Sequence, residues 1–167
     1  MIGFLLATSV SLTTMPSENF PVENARHLLT CSILSEDSCL KLVNELKTFD
    51  EKNNPVLAGY RACATMIRAK YTLNPYRKLA WFSEGRYLLE RCIDMENQNA
   101  ELRFLRFSVQ CNAPFFLMYR NSLNSDKIFL MNSIDRLNDA QLRQLIISFL
   151  IESKQLSNAE LNKMRHE

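Results

Sequence analysis

Glycine is nearly missing from this chain, at three residues in 167. So little of it leaves few positions for left-handed turns or tight hairpins, which argues against a β-rich fold. Proline is sparse too, at five. Histidine is limited to His27 and His166, too few and too close to the ends for a histidine-based metal centre. The net charge of +2, with a pI near 8.3, lacks the segregated excess of Lys and Arg that marks a nucleic-acid binder. There is no Gly-rich phosphate loop, HExxH, G-x-S-x-G or Cys-x-x-Cys. The sequence therefore predicts no cofactor, no metal and no catalytic residue.

What is present suits a core-forming chain: 47% of residues are hydrophobic and 23% charged. The five cysteines, Cys31, Cys39, Cys63, Cys92 and Cys111, are odd in number, which excludes a fully paired framework within one chain. They are expected to be small buried hydrophobes, with a Cys31–Cys39 disulfide as the alternative.

The longest apolar run at the start, Ile2 to Leu12, is too short to span a bilayer. It resembles the hydrophobic part of a secretory signal. Residues 1–20 are expected to be a signal-like or flexible segment, and residues 21–167 a single all-helical domain. Export to the cell envelope or periplasm is the expected placement, with the cytoplasm as the alternative.

Apolar spacing and breakers predict about seven to nine helices, packed as antiparallel hairpins in a short right-handed superhelix or an irregular bundle. The stretch Lys78–Asp94 is taken as the organising helix. Trp81, Phe82, Gly85, Leu88, Leu89, Cys92 and Ile93 share an arc about 140° wide. A glycine inside a helix costs roughly 1 kcal/mol relative to alanine, so Gly85 predicts a second backbone pressed against it. Helices are expected over Val22–Leu34, from Ser35 to about Phe49, and from Pro55 to Tyr71. After Pro114, a short helix FFLMYRN is expected, then one opened by Ser125-Asp-Lys. Asn138-Asp-Ala-Gln141 and Ser157-Asn-Ala-Glu160 read as capping boxes for two last helices. In the segment AELRFLRFSVQC, Leu102, Leu105 and Val109 form one apolar stripe, and Phe104, Phe107 and Cys111 a second. A helix apolar on two flanks is expected to pack between two neighbours. Arg103, Arg106 and Gln110 run between the stripes, with Glu101 and Ser108 opposite.

Gly85, Leu89 and Cys92 stand at the small–large–small spacing of the second helix of a tetratricopeptide repeat, and Asn97-Gln-Asn-Ala100 stands where that family turns. The segment resembles such a helical hairpin. The longer run from Gly59 through Tyr119 resembles small bacterial helical proteins of unassigned function, many of which look exported. These resemblances imply a helical-repeat-like binding or scaffold module with a protein or peptide partner, and point to no particular activity.

The candidate binding residues are Lys70, Lys78, Arg103, Arg106 and Gln110. Arg103 and Arg106 suit bidentate capture of a carboxylate or phosphate in a groove, which would make the chain an anion-binding protein or small enzyme. The competing reading pairs them with Glu84, Asp94 or Asp126 to fasten helices, their stems lying on aromatic neighbours. Glu84 and Glu90 are expected on a solvated face, and Tyr60, Tyr76, Trp81 and Phe116 in the core.

Overall fold

The computed structural model describes residues 20–165. The signal-like segment expected over residues 1–20 lies, but for Phe20, outside the described residues. Among those residues there are eight α-helices and no strand. They are α1 (Val22–Ser32), α2 (Glu36–Glu45), α3 (Pro55–Arg68), α4 (Pro75–Met95), α5 (Ala100–Asn112), α6 (Leu123–Ser133), α7 (Ala140–Glu152) and α8 (Asn158–Arg165). None is long and apolar enough to cross a membrane.

Asparagine and proline open the central helices. Asn54 accepts from the Leu57 amide at 3.1 Å ahead of Pro55, and Asn74 from the Tyr76 amide at 2.9 Å ahead of Pro75. A side-chain acceptor satisfies an orphan amide, and proline at the first position has no amide to satisfy. Asn99 does the same for α5, accepting from the Glu101 amide at 3.0 Å. Ser157 and Glu160 form the expected reciprocal box, with the Ser157 amide 2.7 Å from the Glu160 carboxylate.

Several boundaries differ from those expected. Proline acts as an opener at residue 75, so α4 begins three residues before Lys78. The second helix stops at Glu45, and Leu46 and Phe49 reach the core from the turn beyond it. FFLMYRN makes only a 3₁₀ turn at Phe115–Leu117, because Met118 takes a left-handed conformation (φ 47°) and sends Tyr119 inward. The following helix starts at Leu123, which places Asp126 within it. Asp139, one residue later than expected, caps α7 by accepting from the Leu142 amide at 2.9 Å.

Two apolar clusters fill the interior. The first gathers Leu42, Leu46, Leu57, Tyr60, Cys63 and Leu89 among others, all from α1–α4 and their turns, and closes on Leu102 and Leu105 of α5. The second joins Leu130, Ile134, Ile146 and Leu150 to Phe104 and Phe107 on the other flank of α5. Phe149 lies edge-on to Phe104 at 5.5 Å and to Phe107 at 5.9 Å. The two-flanked reading of this helix holds, with Val109 against the first cluster and Cys111 against the second. The centre of the fold is thus α5 together with α3. The helix first taken as the organiser buries only Gly85, Leu89, Cys92 and Ile93, and its first turns stand in solvent.

The contact expected at Gly85 is present. A Cβ there would collide with the carbonyl oxygen of Ala62, and it would lie 2.6 Å from Met66 Cγ and 3.1 Å from the Met66 amide nitrogen. Backbone meets backbone, so α3 and α4 lie closer than any larger residue allows. All five cysteines are free, with Cys39, Cys63 and Cys92 buried as expected.

The hairpin order sends alternate turns to opposite ends. The Lys70 ammonium donates to the Ile33 carbonyl at 2.6 Å and the Tyr71 hydroxyl to that of Ser32 at 2.6 Å, joining the α1–α2 and α3–α4 turns at one end. The Tyr119 ring lies 5.9 Å from Phe82, which brings the α5–α6 turn alongside. At the other end Arg91 of α4 pairs with Glu51 of the α2–α3 turn at 2.9 Å.

Candidate functional site

The most concentrated chemistry in the described residues is a pair of buried arginine–carboxylate grips, both anchored on α5. In the first, Arg106 meets Asp126 of α6 fork to fork: Nε donates to Oδ2 at 2.7 Å and Nη2 to Oδ1 at 2.8 Å. Its Nη1 turns to Glu90 of α4 at 2.6 Å. The Tyr119 hydroxyl donates to the other oxygen of Glu90 at 2.6 Å. Arg103 adds a second cation, with Nη1 2.8 Å from Asp126 Oδ1 and Nε 2.9 Å from the Asn97 carbonyl oxygen, its guanidinium over the Phe129 ring at 4.9 Å. Asp126 is wholly buried and Arg106 is 7% exposed. Two carboxylates face two guanidiniums, so the group is close to neutral. Planar guanidiniums with bidentate geometry are the form of buried pair best able to offset its desolvation.

In the second grip, Arg26 of α1 holds Glu101 of α5 through Nε at 2.7 Å and Nη2 at 2.9 Å. Tyr60 of α3 donates its hydroxyl to Glu101 Oε1 at 2.6 Å. Arg26 also reaches Asp139 at 2.8 Å and the Gln141 amide oxygen at 3.4 Å. The Leu142 amide, and behind it Arg26, hold the Asp139 carboxyl below the usual range. Burial, then the neighbouring Glu101, raises the Tyr60 phenol well above its ordinary value. Burial, then Glu90, does the same for Tyr119. Both phenols are hydrogen-bond donors throughout the physiological range, and neither is poised as a base.

The five candidate residues therefore separate. Arg103 and Arg106 fasten α5 to α4 and α6. Of the acids expected to pair with them, Asp126 does so, whereas Glu84 is exposed and Asp94 makes no ion pair among the described residues. Glu90, expected on a solvated face, is half-buried between Arg106 and Tyr119. Gln110 is fully buried, and neither polar atom of its side chain has a hydrogen-bond partner among the described residues. Lys70 and Lys78 are exposed, at the end of the molecule that carries the α3–α4 turn. Tyr60 lies in the core and Trp81 is half-buried under the Arg68 guanidinium at 4.3 Å, but Tyr76 and Phe116 stand in solvent, at 84% and 79% exposure.

Arg26, Glu101 and Tyr119 were not singled out in the sequence, and Glu101 was placed on the outer face of its helix. The signal for Arg26 is its position. It shares an apolar face with Val22, Leu29 and Ile33, at i−4, i+3 and i+7. Asp126 likewise interrupts a stripe made by Leu123, Leu130 and Ile134. A charge in the middle of an apolar stripe asks for a buried partner of opposite sign.

A shallow hollow of about 660 Å³ lies between α1 and α2, lined by Phe20, Asn24, His27, Leu28, Lys41 and Glu45. No protein-family model matches the chain, and comparison with curated proteins and with solved structures finds no significant match.

Proposed function

We propose that the chain is a non-catalytic binding or scaffold module of tetratricopeptide-like helical hairpins, holding a protein or peptide partner in the cell envelope. The observation that carries this reading is the fork-to-fork grip of Arg106 on Asp126, with Glu90 on the remaining nitrogen. Arg106, a candidate anion ligand from the sequence, is engaged in joining α5 to α4 and α6. Recognition then falls to the outer surface. The hollow between α1 and α2 offers an apolar floor of Phe20 and Leu28 with Lys41 and Glu45 beside it, which suits an extended peptide carrying apolar and charged side chains. The envelope placement rests on the apolar run Ile2 to Leu12, outside the described residues.

The test is Arg103→Ala and Arg106→Ala, each examined by denaturant unfolding and by calorimetric titration with inorganic phosphate and with acetate. A scaffold loses roughly 3 kcal/mol of stability in Arg106→Ala, because the wholly buried Asp126 then keeps only its single bond from Arg103. Its wild type takes up neither anion. Tight phosphate binding by the wild type, abolished in both variants at unchanged stability, would instead make these arginines an anion clamp and overturn the scaffold reading.

A further inference from the structure

The turns at the end marked by Lys70 carry large apolar side chains in solvent. Leu34 in the α1–α2 turn is 85% exposed and Leu73 in the α3–α4 turn 97%. Phe115, Phe116 and Met118 in the α5–α6 turn are 84%, 79% and 82% exposed. The first turns of α4 add Tyr76, 84% exposed, beside them. At the opposite end Met95 is 57% exposed, but the turns themselves are polar, reading Asp50-Glu-Lys-Asn-Asn and Glu96-Asn-Gln-Asn. Isolated exposed hydrophobics need no explanation, but a set confined to three turns at one end does.

The balance of charge also differs between the two ends. Lys70, Arg77, Lys78 and Arg120 surround the apolar tips and are all exposed, against Glu36 and Asp37 in the first turn of α2. The other end mixes Glu45, Asp50, Glu51, Asp94 and Glu96 with Lys47, Lys52 and Arg91, the last paired with Glu51. Apolar and aromatic tips ringed by cations match the interfacial zone of an anionic bilayer, where hydrocarbon accepts the tips and lipid headgroups pair with the cations. The left-handed turn at Met118 sharpens the fit. It leaves the side chains of Phe115, Phe116 and Met118 outside while Tyr119, locked to Glu90, anchors the loop from within. The loop is held out by its own neighbour and does not have to be pulled out of a core.

We propose that this end of the molecule docks on an anionic membrane surface, with Phe115, Phe116 and Met118 entering the headgroup–acyl boundary and Lys70, Lys78 and Arg120 binding headgroups. The proposal goes beyond the scaffold reading, since it concerns a surface other than the α1–α2 hollow. It fails or stands on vesicles alone, whatever peptide the hollow takes.

The experiment is co-sedimentation of the full chain with vesicles of phosphatidylcholine and with vesicles containing about 30% phosphatidylserine. The expected result is binding to the anionic vesicles that weakens with salt. It falls at least tenfold in Phe115→Ser/Phe116→Ser/Met118→Ser, and about fivefold for each cation removed in Lys70→Ala, Lys78→Ala and Arg120→Ala. Gln98→Ser at the opposite end leaves it unchanged. Circular dichroism confirms that each variant is folded, as expected for exposed positions. No binding by the wild type overturns the proposal, as does binding that survives the triple substitution. A stable dimer in which these side chains are shielded would do the same and would assign the face to a second copy.

Discussion

The two arginine grips on α5 use the same parts and differ in how they are backed up. Arg26 faces two carboxylates, so Asp139 still holds it if Glu101 is lost. Asp126 is arranged the other way round, as one carboxylate beneath two guanidiniums, with no exposed surface. The difference teaches that similar distances do not mean similar energetic weight. What matters is the state left behind when one member is removed.

The comparison breaks first at Asp126. Asp126→Asn keeps the shape and removes the charge, leaving Arg106 and Arg103 with only Glu90 between them. It is expected to cost about 3–5 kcal/mol in urea unfolding, against about 1–2 kcal/mol for Glu101→Gln, where Arg26 retains Asp139. Equal costs would show that Asp139, 39% exposed, does not stand in for Glu101 and would erase the distinction.

Much of this architecture is readable from the chain, and the reason is local. Asn54-Pro55, Asn74-Pro75 and Ser157–Glu160 are caps whose chemistry is complete within four residues, so they announce their helices without tertiary help. Gly85 announces a close backbone because a helix has no other use for it there. The two stripes of α5 announce two neighbours. The grips are less legible because they are assembled from residues 16 to 115 positions apart. Of Glu84, Asp94 and Asp126, the three acids that suit Arg103 and Arg106 by position, only Asp126 pairs with them among the described residues. Glu90 looked solvated because it lies on the polar side of α4, and only the inward swing of Tyr119 after Met118 covers it. Tyr76 and Phe116 were read as core because aromatics usually are, whereas here the hairpin turns carry them past the last layer of packing.

Gly85→Ala sharpens the contrast between the two kinds of fastening, steric and ionic. The added methyl meets backbone on α3 and is expected to cost about 1–3 kcal/mol in spite of alanine's better helix propensity. Gly59→Ala meets only the tips of Leu102 and Leu105, at 2.6 and 3.2 Å, and is expected to cost less. A shift in chemical denaturation midpoint larger for Gly59→Ala than for Gly85→Ala would contradict that account.

Gln110 continues the stripe of Arg103 and Arg106 without sharing their pairing. With neither polar atom partnered among the described residues, Gln110→Leu is expected to raise stability by about 1–2 kcal/mol in the same assay. A loss of that size would mean that the amide has work to do where it lies.

Alkali tests the donors that complete both grips. Burial pushes the Cys92 thiol from 9.0 up to about 12 and, with Glu101 and Glu90 behind it, lifts Tyr60 and Tyr119 above the usual phenol value of 10.0. The unfolded chain therefore releases these protons first. Stability is fully present below pH 9.0 and falls as pH climbs beyond it. The thermal midpoint should drop steadily between about pH 9 and 11, and Tyr119→Phe should flatten part of that drop. A midpoint that does not move over this range would contradict the assignment.

The smallest effect is expected at α8. The Ser157 amide, then Lys127, hold the Glu160 carboxyl down to about 2, against an ordinary 4.5. That contribution is present above pH 4.5 and disappears as the pH falls toward 2. Amide protection in α8 should fall over this interval.

Because α5 lends one flank to each apolar cluster, no internal cut divides the chain into halves that keep their own interiors. A fragment ending before residue 100 would lose Leu102 and Leu105 from its middle, and the remainder would begin with a helix bare along one side. Such a chain is expected to melt as one cooperative unit, with a single heat-absorption peak shared by all its helices.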